Sequence, residues 1–137
     1  DDTPLMTMNS DQLVEWDVVD LFEDCKRFDA LIPCFYGEGN AWSYARCGQD
    51  GYVEEVAEKK QISEYATAGY YYWSKGSDFV KYAEQMIEDN SRTNGEFYVA
   101  PVYNWAIKDG KKIGVFMVDK LHSLGTPEDL KEYLGEV

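Results

Sequence analysis

The stretch PLMTMNSDQLVEWD, residues 4–17, decides how the chain is read. Its apolar run Leu5–Met8 is short and unbroken, the pattern of a strand buried on both faces. Asn9-Ser10-Asp11-Gln12 breaks the run, and a helical pattern follows. Asp17 is placed to cap that helix, and Val18, Val19, Leu21, Phe22 and Cys25 make an apolar stripe that runs out at Lys26-Arg27. Strand, polar turn and amphipathic helix together form one step of an open α/β sheet, whose ligands bind beyond the carboxyl ends of the strands. Asp11 stands at that place.

Outward from this stretch the pattern alternates between strands and helices. Residues 30–36 read as a second core strand and Gly37-Glu38-Gly39-Asn40 as a turn. Residues 42–47 and 52–57 alternate on either side of Gln49-Asp50-Gly51, which predicts an antiparallel pair. Residues 65–73 form a strand dense in aromatics. Gly76-Ser77-Asp78 opens a helix with Phe79, Val80, Tyr82, Ala83, Met86 and Ile87 on its buried side, ending before Asn90-Ser91. Residues 99–108 predict a helix with Pro101 in its first turn, and 113–118 a strand. Thr126-Pro127-Glu128-Asp129 starts a last helix, with Thr126 as cap and Asp129 in the capping-box place. No repeat or linker divides the 137 residues, so 1–137 is read as one mixed α/β domain.

Composition narrows the partners. A net charge of −13 argues against nucleic acid and anionic membrane surfaces, which are bound through Lys and Arg. Apolar residues make up 45% of the chain and exclude disorder, and no apolar run approaches the ~20 residues of a membrane span. Cys25, Cys34 and Cys47 are odd in number and lack metal-ligand spacing, which points to reduced thiols in the cytoplasm. His122 is the only histidine, and no nucleophile motif accompanies it. The opening Asp1-Asp2-Thr3-Pro4 lacks the features of a secretion signal and does not begin with Met, so the chain is expected to start inside a longer protein.

Three places could carry chemistry. Asp11 at a strand end either holds a hard divalent cation or caps its turn, and spacing does not separate the two. Glu58, Lys59 and Lys60 lie between two strands, where a lysine could neutralise a phosphate and a glutamate could accept from sugar hydroxyls, or where all three could form a solvated turn. Gly125-Thr126 at a helix start offers N–H groups to an anion or is simply a good cap. Trp42, Trp73, Trp105 and Tyr70-Tyr71-Tyr72 read as core, with one ring free to stack on a sugar face.

The order of these pieces adds a further reading. A strand ending in Asp11, Glu58-Lys59 before TAGYYYW (67–73), then NGEFYVAPVYNWAIKDGKKIGVFMV (94–118) and a closing LGTPEDLKEYL (124–134) resemble the sugar-phosphate nucleotidyltransferases. The resemblance is strongest over 58–134. It implies a GT-A-like, partly Rossmann-like nucleotide-diphospho-sugar transferase fold, a mixed sheet flanked by helices, present without its N-terminal nucleotide-binding part. It also implies that Asp11 is a catalytic ligand of Mg²⁺, that Glu58 and the catalytic Lys59 contact a sugar and its phosphate, that Gly69 lets backbone approach the sugar, and that Glu96 lies in the sugar pocket. The implied reaction is attack of a sugar 1-phosphate on the α-phosphorus of a nucleoside triphosphate, giving a nucleotide sugar and pyrophosphate. Two departures stand out. Residues 1–10 hold no Gly-rich nucleotide loop, and Ser123 stands where the family has a second metal-binding aspartate. The chain is therefore expected to be inactive alone, with a non-catalytic sugar- or phosphosugar-binding module as the alternative. A glycosyltransferase with an Asp-x-Asp motif fits less well, because the pattern here is Asn9-Ser10-Asp11. Leu5–Met8 would present an open apolar edge, which predicts a homo-oligomer.

Overall fold

A computed structural model of the chain describes residues 2–135. In chain order its elements are β1 (Leu5–Met8), β2 (Gln12–Glu15), α1 (Val18–Cys25), β3 (Ala30–Tyr36), β4 (Ser43–Cys47), β5 (Val53–Glu58), β6 (Tyr65–Thr67), β7 (Tyr70–Trp73), α2 (Gly76–Glu88), a 3-10 turn (Ala100–Val102), α3 (Tyr103–Lys108), β8 (Ile113–Met117), β9 (Lys120–Ser123) and α4 (Pro127–Tyr133). Seven strands form one mixed sheet in the order β1-β7-β3-β6-β4-β5, with β8 on the free side of β3. The β3–β8 pair is parallel, and the other pairs are antiparallel.

β3 is the centre, buried from Ala30 to Cys34 because it has neighbours on both edges and layers on both faces. Ile32 and Cys34 point to a core shared with Tyr82 and Met86 of α2, Val102 and Tyr103, whereas Leu31 points the other way, to Leu21 and Cys25 of α1. That split follows from the period of two along a strand. Pro33 lies in mid-strand, where a missing N–H would ordinarily break a ladder. Here the gap falls opposite a break in the facing strand: Ala30 and Leu31 pair with β7, Cys34 to Tyr36 pair with β6, and only the Pro33 carbonyl is used, accepting from the Ala68 N–H at 2.8 Å. Residues 65–73, read as one strand, are thus two, bent at Gly69, whose φ of 85° suits a residue without Cβ.

Other expectations are corrected by packing. β1 is half-buried rather than enclosed on both faces, because it is the last strand of the sheet. Only Leu21 and Cys25 of the α1 stripe are buried, and Val18, Val19 (70% exposed) and Phe22 (55%) face outward. On α2, Val80 and Ile87 are likewise exposed, since the helix touches the sheet along Tyr82 and Met86. The pattern of residues 12–15 does not run straight into the helix: they form β2, which pairs with β9 in a separate two-stranded ladder, Gln12 opposite Ser123 and Glu15 opposite Lys120. Asp17 caps α1 as expected, accepting from the N–H groups of Val19 and Asp20. Thr126 caps α4, but the Asp129 carboxylate accepts from the Ser123 hydroxyl at 3.0 Å instead of closing a capping box. No helix among the described residues is long and apolar enough to cross a membrane.

Candidate functional site

A cleft of about 700 Å³ opens where β1, β4, β5 and the bend at Gly69 come together with the end of β9. Asp11, Glu58 and Gly69 all line it, so three of the residues singled out in the sequence share one space. Asp11 is exposed and follows the polar turn after β1. Its carbonyl accepts from the Leu124 N–H at 2.7 Å, which ties the turn to the loop ahead of α4. Gly125 lies against the Asp11 carboxylate so closely that a Cβ there would stand 3.0 Å from Oδ2. A side chain at that position would push the Asp11 carboxylate aside by a few tenths of an ångström.

Glu58 ends β5 directly opposite Ser43 on β4, and the pleat turns the two side chains to the same face. Burial pushes its carboxyl above the ordinary value of 4.5, with Lys59 opposing the shift. No described residue hydrogen-bonds the Glu58 side chain. A raised folded-state value means that the native form loses stability as pH climbs past 4.5 and the carboxyl ionises. Glu58→Gln is accordingly expected to melt above the wild type at pH 7, with the gap closing as pH falls below 4.5; calorimetry across that range checks it. An equal or lower melting temperature at pH 7 would mean that the cleft solvates the carboxylate fully.

Lys59 does not line the cleft. It is exposed, adopts φ 57°, and donates its N–H to the Trp42 carbonyl at 3.0 Å. Its Nζ lies 5.3 Å from the ring centre of Tyr98, which does line the cleft. The Tyr98 hydroxyl, then Glu58 and Glu96, hold the ammonium above its ordinary value. Glu96 is exposed, in a small bridge with Thr93, and also stays outside the lining. The site thus has an inner group of Asp11, Glu58 and Gly69, and an outer pair behind Tyr98. A non-glycine residue in the left-handed region costs of order 1–3 kcal/mol and persists only where its surroundings impose it. Here the Trp42 carbonyl does so.

Gly69 carries the bend and is roofed by the turn after β1. Its carbonyl accepts from the Asn9 N–H at 2.8 Å, and the side-chain amides of Asn9 and Gln12, joined by a 3.2 Å hydrogen bond, occupy the space a Cβ would need. His122 is placed elsewhere. Its Nε2 meets Glu15 Oε2 at 2.6 Å and its ring packs edge-on against Tyr133, holding the β2–β9 ladder to α4. The sequence reading missed Ser43, Thr67 and Tyr98 in the lining and named Tyr71 only among the core rings, one of which could stack on a sugar face. Ser43 and Thr67 are the only small hydroxyl side chains among the buried described residues, and such residues inside two strand patterns were the one signal available.

The electrostatics of the cleft are one-sided. Its described lining contains two carboxylates, Asp11 and Glu58, and no lysine or arginine. Among the described residues no three His, Cys, Asp or Glu side chains gather as a metal site. Asp11 alone suits a cation of the Mg²⁺ kind, which is held through one or two carboxylates and completes its shell with water and substrate phosphate. Ser123 lines the cleft near it but has its hydroxyl directed to Asp129.

No protein-family model and no curated protein sequence matches the chain. Solved structures do. A nucleoside-diphosphate-sugar pyrophosphorylase from Vibrio cholerae RC9 superimposes with a TM-score of 0.77 at 23% identity, over 96% of this chain and 56% of that one. A protein assigned as a glucose-1-phosphate thymidylyltransferase from Bacillus anthracis, in complex with sucrose, gives 0.71 at 17% identity, over 98% and 55%. HddC from Yersinia pseudotuberculosis complexed with GMP-PN gives 0.61 at 17% identity, again over 98% and 55%. The chain spans about half the length of these neighbours. Its mixed sheet with flanking helices is the fold of about half of such a nucleotidyltransferase chain, as the sequence resemblance implied.

Proposed function

We propose that residues 1–137 form one domain, the sugar-phosphate-binding portion of a sugar-phosphate nucleotidyltransferase working in the cytoplasm on nucleotide-sugar biosynthesis. In the reaction a sugar 1-phosphate oxygen attacks the α-phosphorus of a nucleoside triphosphate, and pyrophosphate leaves. The observation that carries this reading is the convergence of Asp11, Glu58 and Gly69 on one cleft with Lys59 behind Tyr98. Such chemistry needs positioning and charge neutralisation rather than a covalent nucleophile. Asp11 would hold Mg²⁺, which when bound neutralises phosphate charge. Glu58 accepts from sugar hydroxyls, Lys59 meets the phosphate, and Glu96 orients Lys59. Residues 1–10 hold no Gly-rich nucleotide loop, so on this reading the chain by itself is expected to be inactive. The three free cysteines support a reducing compartment.

A panel of hexose 1-phosphates, with and without Mg²⁺, tests the reading by thermal shift. At a hundredfold excess over Kd a ligand stabilises by about 2.7 kcal/mol, on the order of 10 °C for a chain of this size. With no cation in the lining, stabilisation should depend on Mg²⁺, and Lys59→Ala should weaken binding at least about tenfold, as loss of a charge-assisted contact does. If no hexose phosphate shifts the wild type under either condition, the reading is wrong. A non-catalytic phosphosugar-binding module is the second reading, favoured by the absence of a three-ligand metal cluster among the described residues and by the engaged Ser123 hydroxyl. It predicts that a sugar phosphate binds equally well without Mg²⁺ and in Asp11→Asn.

Self-association belongs to the same proposal. Among the described residues β1 has a partner on one edge only, and Met8, Val19 and Phe22 are exposed nearby in the chain. Light scattering at micromolar concentration should find a dimer or higher form that strengthens with salt, because a net charge of −13 opposes association until it is screened. A monomer at all salt concentrations removes this part.

A further inference from the structure

Three hydroxyls from three different strands meet in the floor of the cleft. Ser43 on β4, Thr67 on β6 and Tyr71 on β7 are all buried, yet each contributes to the lining. Thr67 Oγ1 stands 2.9 Å from the Tyr71 hydroxyl, Ser43 Oγ stands 3.3 Å from it, and Ser43 Oγ and Thr67 Oγ1 are hydrogen-bonded to each other. A closed triangle of hydroxyls uses its three donors and leaves acceptor lone pairs over, and its direction can reverse. The long Ser43–Tyr71 edge is the weakest and frees a donor most easily.

Packing alone does not call for a polar arrangement here. Replacing all partners of a buried hydrogen-bonded group by apolar side chains of similar shape is often neutral, so alanine, valine and phenylalanine would pack there as well. What the hydroxyls supply is an uncharged surface that can donate and accept, beside the acceptor-only carboxylate of Glu58, which faces the same side from the position opposite Ser43. That combination matches a group that is itself donor and acceptor at one atom. A sugar hydroxyl is such a group, donating to Glu58 and accepting from the triangle. Burial holds the Tyr71 phenol above its ordinary value, so it remains a donor at neutral pH.

We propose that the Ser43–Thr67–Tyr71 triangle, together with Glu58, is the specificity element of the cleft and selects a hexose 1-phosphate that carries a free hydroxyl at the ring position facing it, over the deoxy analogue at that position. The inference rests on the sugar-phosphate reading above and adds which residues choose the sugar. A site built to hydrogen-bond a substrate hydroxyl rejects the analogue lacking it strongly, because its own polar groups are left unpaired.

The experiment takes the tightest-binding hexose 1-phosphate of the panel, with Mg²⁺, and compares it with its four monodeoxy analogues by calorimetric titration. At one ring position the deoxy analogue should bind wild type at least about 100-fold more weakly. Thr67→Val and Tyr71→Phe, which preserve shape, should reduce that discrimination to about tenfold or less, and Thr67→Ser should restore it. Thermal melts of each variant establish that it is folded, and a purely structural triangle would change melting without changing discrimination. Ser43→Ala, which removes a single oxygen at the weakest edge of the triangle, serves if both other variants fail to fold. The proposal falls if every deoxy analogue binds within about threefold of its parent, or if the discrimination survives in all folded variants. In both cases hexose phosphate binding itself would persist and the reading above would stand. If no hexose phosphate binds wild type, that reading falls and this one with it.

Discussion

Trp73→Ala is expected to cost about 3–5 kcal/mol of folding stability, the range for removing a buried tryptophan, out of a total of roughly 5–15 kcal/mol for a domain. Trp73 is buried at the end of β7, paired to Leu5 of β1 on one side and Ala30 of β3 on the other. Its ring stacks on Tyr103 at 4.4 Å with an interplanar angle of 3°, and Phe79 and Tyr82 lie at 5.9 and 6.2 Å. One side chain thus joins the sheet to α2 and α3. The indole N–H has no hydrogen-bond partner among the described residues, and an unpaired buried donor is itself destabilising. Trp73→Phe should therefore lose far less than the alanine variant, because the smaller ring also removes the unpaired donor. Urea denaturation measures both. A loss under about 2 kcal/mol for the alanine variant would mean that the aromatic stack collapses to refill the space.

Gly69→Ala should damage both stability and the cleft. At φ 85° a residue with a Cβ carries backbone strain of order 1–3 kcal/mol. Sterics add to it, since the new methyl would run into the Gln12 amide and stand 2.9 Å from Asn9 Nδ2. Relief requires the Asn9 and Gln12 side chains to swing aside, which breaks the hydrogen bond between them and loosens the turn that carries Asp11. Chemical denaturation should register the first effect, and loss of Mg²⁺-dependent hexose phosphate binding the second. Full binding with native stability would show that the turn can loosen without moving Asp11.

The elements that hydrophobic period and turn residues specify were legible in the sequence. Of the nine strands among the described residues, six lie within the segments predicted as strands and β5 overruns its segment by one residue, and the caps at Asp17 and Thr126 formed as read. β2 and β9 were not legible, because four residues such as Gln12 to Glu15 carry no local signal when their partner is more than a hundred positions away. The apolar stripe of α1 was read too wide for the same kind of reason: periodicity says which residues share a side, and only packing says how much of that side is covered. Of the residues lining the cleft, Asp11 and Glu58 were singled out because they punctuate strand ends, and Gly69 only through the family resemblance. Ser43 and Thr67 were not, and Tyr71 was named only as one of the core rings, since a hydroxyl inside a strand pattern gives no hint of the others until the sheet brings them together.

The β2–β9 ladder gives the cleft a different standing from the sheet beneath it. It joins residues 12–15 to residues 120–123, the two ends of the described chain, through four paired positions and the Leu124 N–H bond to Asp11. Few buried apolar contacts back it, for no residue of β2, β9 or α4 is buried. Closing so long a loop is entropically expensive, so this wall should be the last part to form and the first to open. Amide protons of residues 12–15 and 120–123 should then exchange through local opening while those of β3 wait for global unfolding. Binding competence would be a property of the closed fraction alone, and a ligand bridging Asp11 and the hydroxyl floor would raise that fraction as part of its own affinity.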